Sequence, residues 1–152
     1  MRYFDAIASS SVAMVVAMPN GAKHEGYQHL LVWRKAMDLA EQVYAAVRRF
    51  PSHERFALAA QMCRAVVSIP SNLAEGYGRG SLGDYRRHVG IANGSLLELE
   101  TQIHLAKRIG YFETADADTL IRRTEEVGRM LAGLRKALTL RATTASRNIP
   151  DA

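Results

Sequence analysis

The fold is decided by residues 64–81, which read RAVVSIPSNLAEGYGRGS. Apolar side chains here and just upstream recur every three or four residues, the spacing of one helical face: Leu58, Met62, Ala65, Val66 and Ile69. Pro70 interrupts the pattern, because proline lacks a backbone donor and its ring meets the carbonyl four residues earlier. Since good helix formers return at Leu73, Ala74 and Glu75, we predict a kink here and place the helix end in the glycine-rich run from Gly76.

Three further stretches carry the same helical period. The first extends from about residue 28 to Phe50-Pro51, and its predicted seam is Leu30, Trp33, Met37, Ala40, Tyr44 and Val47. The other two cover about 82–109 and 114–141, with the seams Leu82, Tyr85, Val89, Ala92, Leu96, Leu99, Ile103 and Ala106, and Leu120, Val127, Leu131, Leu134 and Leu138. Ser52 is predicted to cap the second helix, and Ser81, with Asp84 three residues later, the third.

Four such helices joined by short loops predict an all-α fold, an antiparallel up-down four-helix bundle with a proline-kinked second helix. No strand-like alternation competes with this prediction. The bundle is expected over residues 27–142, followed by a frayed tail at 143–152. Residues 1–26 contribute no periodic apolar face, so they are either a disordered extension or lie upstream of a true start at Met14 or Met18.

Composition narrows the function classes. A length of 152 residues suits one domain, and the single cysteine, Cys63, excludes an internal disulfide. No apolar run approaches the length of a membrane span. The net charge of +5 favours an acidic partner such as nucleic acid.

Three segments carry a family resemblance: LVWRKAMDLAEQVY (31–44), FPSHERFALAAQMCRAVVSIPSNLAEGYGRGS (50–81) and IANGSLLELETQIHLAKRIGYF (91–112). They resemble the four-helix-bundle proteins encoded in bacterial 23S rRNA intervening sequences, over about residues 28–140. The accessory variability determinant of diversity-generating retroelements is similar. Arg87 and His88 depart from the family pattern, in which an aromatic residue is common at this point.

The resemblance implies a cytoplasmic, non-enzymatic protein that assembles as a cyclic homo-oligomer, a pentamer. It also implies association with nucleic acid, RNA more than DNA. By the likeness to the retroelement protein it implies a reverse transcriptase as a further partner. The alternative class is a protein-interaction scaffold whose basic surface meets an acidic partner protein.

A polar network is predicted between the second and third helices. Its members step by threes and fours along facing sides of the two helices: Ser68, Asn72 and Glu75 on the second, and Ser95, Glu98 and Gln102 on the third. Hydrogen bonds among them would fix the helix register. The alternative is a ligand site between the same helices.

Catalytic and cofactor chemistry finds little support in the pattern. Di-iron bundles need two Glu-x-x-His pairs, whereas Glu100 and His104 are four residues apart and such a pair occurs once. Cys63 lies in an apolar helical pattern typical of a buried small side chain. The glycine run follows a helix and lacks the Walker lysine. We therefore predict no enzyme activity, no metal and no cofactor.

Basic side chains give the strongest functional signal. The predicted nucleic-acid-binding residues are Arg79, Arg86, Arg87, Arg122, Arg123, Arg129 and Lys136, with Tyr77 and Tyr85 as stacking surfaces for bases. The alternative is a solvated face, because Glu125 and Glu126 can pair with the arginines around them. Assembly of several copies would concentrate the positive charge. Apolar residues outside the seams are predicted to form the contacts between copies: Leu31, Val32, Leu97, Ile109, Ile121 and Met130.

Overall fold

The computed structural model describes residues 26–147, with side chains through residue 144. Its long helices are α1 (Leu31–Val47), α2 (Leu58–Gly78), α3 (Leu82–Arg108) and α4 (Thr114–Arg147). Short 3₁₀ turns at Tyr27–His29 and Ser52–Phe56 precede α1 and α2, and no strand occurs between residues 26 and 147. The predicted all-α class with four helices is confirmed. The predictions for residues 1–25 and 148–152 lie outside the described residues.

Helix α2 is continuous through Pro70. Proline removes the amide that would bond to the Val66 carbonyl. The Ser71 Oγ atom donates to the Val67 carbonyl and the Asn72 Nδ2 atom to the Ser68 carbonyl, each at 2.8 Å. These two side chains therefore bind the two carbonyls that follow Val66.

Helix α2 ends within the glycine run, as predicted: it includes Gly76 and ends at Gly78. Gly76 itself is a point of close contact between helices. A Cβ atom placed on Gly76 would lie 2.6 Å from the His88 Cβ atom of α3. The chain reverses at Gly80, whose φ is +72°. The predicted Ser81 cap is confirmed, since its Oγ atom accepts from the Asp84 amide at 3.0 Å.

The start of α2 also differs from the prediction. Ser52 opens a 3₁₀ turn, and its side chain makes no capping hydrogen bond. Glu54 takes the capping role, since its Oε2 atom accepts from the Leu58 amide at 3.0 Å. The Tyr111 hydroxyl donates to Glu54 Oε1 at 3.0 Å, so the loop after α3 supports the carboxylate that caps α2.

The core lies between the four helices, and the predicted seams of α3 and α4 are buried in it, with Leu82 half-buried. The buried face of α1 is instead Val32, Ala36, Leu39, Ala40, Val43 and Ala46. Leu30 and Ala40 of the predicted seam are buried, but Trp33, Met37 and Val47 are half-buried and Tyr44 is 45% exposed. The rest of the predicted seam is therefore displaced by about one residue from the buried stripe. Both stripes have helical spacing, and the one with smaller side chains lets α1 lie closer to its neighbours.

Helix α4 extends to Arg147. The residues predicted for intermolecular contacts differ in exposure. Val32, predicted for an intermolecular contact, is fully buried in the core, while Ile121 and Met130 are partly buried against it. Leu97 and Ile109 are exposed as that prediction required.

Candidate nucleic-acid interface

Five of the predicted basic residues are exposed and form no ion pair among the described residues. These are Arg86 and Arg87 in the first turns of α3, and Arg122, Arg129 and Lys136 on α4. Arg87 lies close enough to Glu75 to help hold the pKa of that carboxyl below its usual value. The positive charge of this group is therefore largely open to a polyanion.

The remaining predicted cations have partners. Arg79 forms an ion pair with Glu75 one turn earlier on α2, and this hydrogen bond is the main reason that the pKa of Glu75 is lowered. Arg123 lies 3.4 Å from Glu126, which also binds Lys35 of α1 at 2.9 Å. Pairs at such exposed positions are weak, so these arginines contribute less free charge than the unpaired group.

The arginines of the middle of α4 converge on one polar recess of about 370 Å³. Its walls are Thr119, Arg122, Arg123, Glu126 and Arg129. The Arg122 Nη2 atom donates to Thr119 Oγ1 at 2.9 Å, which holds the guanidinium along the recess. Guanidinium and hydroxyl donors are suited to phosphate oxygens. The one carboxylate in the recess, that of Glu126, would repel a phosphate.

Lys136 lies in a separate groove between α3 and α4, of about 400 Å³. Arg135 and Thr139 share its rim, and Val89 and Leu131 contribute apolar walls. No acidic side chain lines this groove. The predicted basic residues of α4 therefore line two separate recesses.

The two tyrosines are not equivalent. Tyr77 is half-buried, and its ring packs edge-on against Tyr85 with centroids 6.0 Å apart. Tyr85 is only 1% exposed, and burial raises its pKa. Its hydroxyl has no hydrogen-bond partner among the described residues. Tyr85 cannot stack on a base, so that prediction was wrong, and only the accessible part of Tyr77 remains.

A polar network joins α2 to α3. The Ser95 hydroxyl donates to Ser68 Oγ at 2.8 Å, and Asn72 Nδ2 lies 3.1 Å from the same oxygen. Asn72 Oδ1 contacts His88 Nδ1 at 3.0 Å, and His88 Nε2 is 3.8 Å from Glu75 Oε1. Four of the six predicted members, Ser68, Asn72, Glu75 and Ser95, therefore lie in one chain of contacts.

Sequence reasoning misplaced two members of the network, Glu98 and Gln102, and missed His88. Glu98 accepts a hydrogen bond from Gln102 on its own helix at 3.1 Å and is exposed. His88 takes the linking position and is buried. His88 is four residues from Ala92 and seven from Ser95, and this spacing indicates that the three share one side of α3. The spacing does not identify its partners, Asn72 and Glu75, because they lie on another helix.

Neither a metal-binding cluster nor a membrane-spanning helix occurs in the part of the chain that the structure describes. Among the described residues, no group of three or more His, Cys, Asp or Glu side chains is placed to hold a metal ion. No helix within residues 26–147 has a stretch both long and apolar enough to cross a bilayer.

The fold and its surface define a small helical-bundle protein with basic recesses on α4 and a polar network between α2 and α3. The chain belongs to the 23S rRNA-intervening sequence protein family, whose model matches residues 28–133.

The fold is also similar to that of a protein of unknown function from the S23 ribosomal protein family of Bacteroides thetaiotaomicron VPI-5482. The TM-score is 0.64 at 21% identity, over 70% of this chain and 99% of that one. Comparison with curated proteins finds no significant match.

Proposed function

We propose that this protein is a non-enzymatic, cytoplasmic bundle of up-and-down helices, kinked at Pro70, that associates with nucleic acid as a cyclic homo-oligomer. The observation that carries the proposal is the set of exposed, unpaired cations on α3 and α4, beside the three-arginine recess. Contacts between α2 and α3 pair residues in reverse chain order, Ser68 with Ser95 and Asn72 with His88, which supports the up-and-down order.

Assembly strengthens the electrostatic argument. A net charge of +5 on one chain is modest, and several acidic residues lie between the arginines. A ring repeats the same cations around one axis, so their fields add at the positions where a polyanion would lie. Five copies are proposed from the family resemblance.

RNA is the proposed nucleic acid, because the family is defined by sequences inserted in 23S rRNA. The two α4 sites would bind phosphates, since guanidinium and ammonium groups recognise phosphate without reading base identity. A reverse transcriptase remains a proposed further partner, by the likeness to the retroelement protein. The alternative is a scaffold for an acidic protein, favoured by the ion pairs of Arg79 and Arg123.

A salt titration tests the proposal. Binding of a fluorescent RNA hairpin is followed by anisotropy at increasing salt, and we expect the logarithm of affinity to fall linearly with the logarithm of salt concentration. Removing two phosphate contacts with R129Q and K136Q should reduce the slope by about 2. The matched control is R49Q, because Arg49 is exposed but paired with Asp116 at 2.7 Å. Negligible RNA affinity at low salt would favour the scaffold.

A further inference from the structure

A ridge of exposed aliphatic side chains runs along the outer face of α3. Leu97, Leu105 and Ile109 are 54%, 48% and 49% exposed. Leu105 lies on the side opposite the buried Leu96 and Ile103, and Leu97 and Ile109 lie to either side of it. Large aliphatic side chains exposed in this way leave apolar surface in water, which is typical of an interaction surface.

A groove lies elsewhere on the bundle, between α1 and α2. It consists of two adjoining recesses that share Tyr44, of about 410 Å³ and about 750 Å³. The smaller one is mainly apolar and is walled by Trp33, Met37, Tyr44, Val67, Pro70 and Ala74. The larger one has apolar walls at Val47, Phe50 and Cys63 and polar ones at Arg48, Ser52 and Arg55. This is where the stripe predicted for the core of α1 actually lies.

We infer that the α3 ridge of one copy packs into the α1–α2 groove of the next copy, in a head-to-tail contact that repeats around the ring. This inference rests on the cyclic assembly proposed above and specifies its interface. The two surfaces are formed by different helices, as a heterologous contact requires. A two-fold pairing of ridge with ridge, or of groove with groove, would leave the other surface uncovered.

The spacing of the two surfaces agrees. Leu97 and Ile109 are twelve residues apart, about 18 Å along the helix. The two recesses are centred near Val47 and Met37, ten residues apart, or about 15 Å. With α3 antiparallel to the neighbour's α1, Leu97 would enter the larger recess and Leu105 and Ile109 the smaller one.

Charges favour the same orientation. Glu41 and Arg48 line the groove, and both are exposed without an ion pair among the described residues. On α3, Glu98 borders the ridge and Arg108 lies at its end. The antiparallel register brings Glu98 towards Arg48 of the neighbour and Arg108 towards Glu41. If α3 instead ran parallel to the neighbour's α1 with Glu98 beside Arg48, Leu105 would lie beyond the C-terminal end of α1 at Val47.

The test uses complementary variants of the full chain, L105E/I109E on the ridge and Y44E/V67E in the groove. All four side chains are more than 40% exposed, so circular dichroism should show unchanged helix content. The matched control is L140E, because Leu140 is 60% exposed and outside both surfaces. Mass is measured by light scattering after size exclusion at micromolar concentration.

Each double variant should be monomeric, and L140E should keep the wild-type oligomer mass. An equimolar mixture of the two double variants should give a 1:1 heterodimer, because only one intact ridge and one intact groove remain. Either double variant with wild-type mass would overturn the contact, as would a mixture that stays monomeric. Those outcomes leave the salt-dependent RNA binding of the wild type untouched. A monomeric wild type would overturn both the contact and the ring.

Discussion

The Nδ1 atom of His88 lies 3.0 Å from the Oδ1 atom of Asn72, and this contact links α3 to α2. The orientation of the Asn72 amide is determined by its other end, where Nδ2 donates to the Ser68 carbonyl at 2.8 Å. Oδ1 is therefore the atom turned to His88, and Nδ1 must carry the proton that is donated to it. The Nδ1–H donor of the buried His88 is therefore paired with the half-buried side-chain amide of Asn72 on the neighbouring helix.

Replacing Asn72 with alanine should destabilise the bundle by about 1–3 kcal/mol, because His88 loses its hydrogen bond to α2 and a buried donor is left without its acceptor. Chemical denaturation measures the free energy of unfolding. S71A is the control, since Ser71 is exposed and bonds only within its own helix, and it should stay within about 0.5 kcal/mol of the wild type. Equal effects from the two variants would show that the network adds nothing to stability.

Gly76→Ala should lower the free energy of unfolding by about 1–3 kcal/mol, because the new methyl group would overlap the His88 side chain. Gly133→Ala is the matched control. Gly133 is exposed on α4, with no atom within 4 Å of an added Cβ. That change should stabilise the protein by about 0.5–1 kcal/mol through helix propensity. A stabilised Gly76 variant would mean that α2 and α3 are not in close contact there.

Acid should weaken the link between α1 and α4. Binding to Lys35, the largest cause, lowers the pKa of Glu126. A lowered folded-state pKa gives stability that is present above the unfolded value of about 4.3 and is lost as the pH falls through the folded value. The pair is about one-third exposed, so the effect should be below about 1 kcal/mol. The melting temperature of E126Q should therefore fall less than that of the wild type between pH 7 and pH 3, whereas E125Q should behave as wild type.

Alkylation of Cys63 should be slow in the folded protein. Burial raises the pKa of this thiol, which reduces the thiolate fraction at neutral pH. The hydrogen bond with Tyr44 acts in the opposite direction, so Y44F should slow iodoacetamide labelling further. The rate in urea gives the reference for an accessible thiol. Labelling of folded Y44F that is faster than wild type would contradict this account of the thiol.

The sequence by itself determined the helices and much of their core. Periods of three and four residues, the Ser81 cap and the loop glycines are local features, and each acts on the chain within one or two turns. The buried stripes of α3 and α4 followed from them, because the longest apolar repeat on each of those helices is the one that is buried. The exposure of Arg86, Arg129 and Lys136 was predictable for the same reason.

Only the tertiary structure decided which face of α1 is buried, because two adjacent stripes of that helix are apolar and the neighbouring helices select one. It also decided that His88 replaces Glu98 in the network, and that Gly76 is a contact and not a stop. These features depend on how closely two helices approach and on which side chains meet across the gap. Such distances join residues far apart in the chain, so no local pattern of spacing contains them.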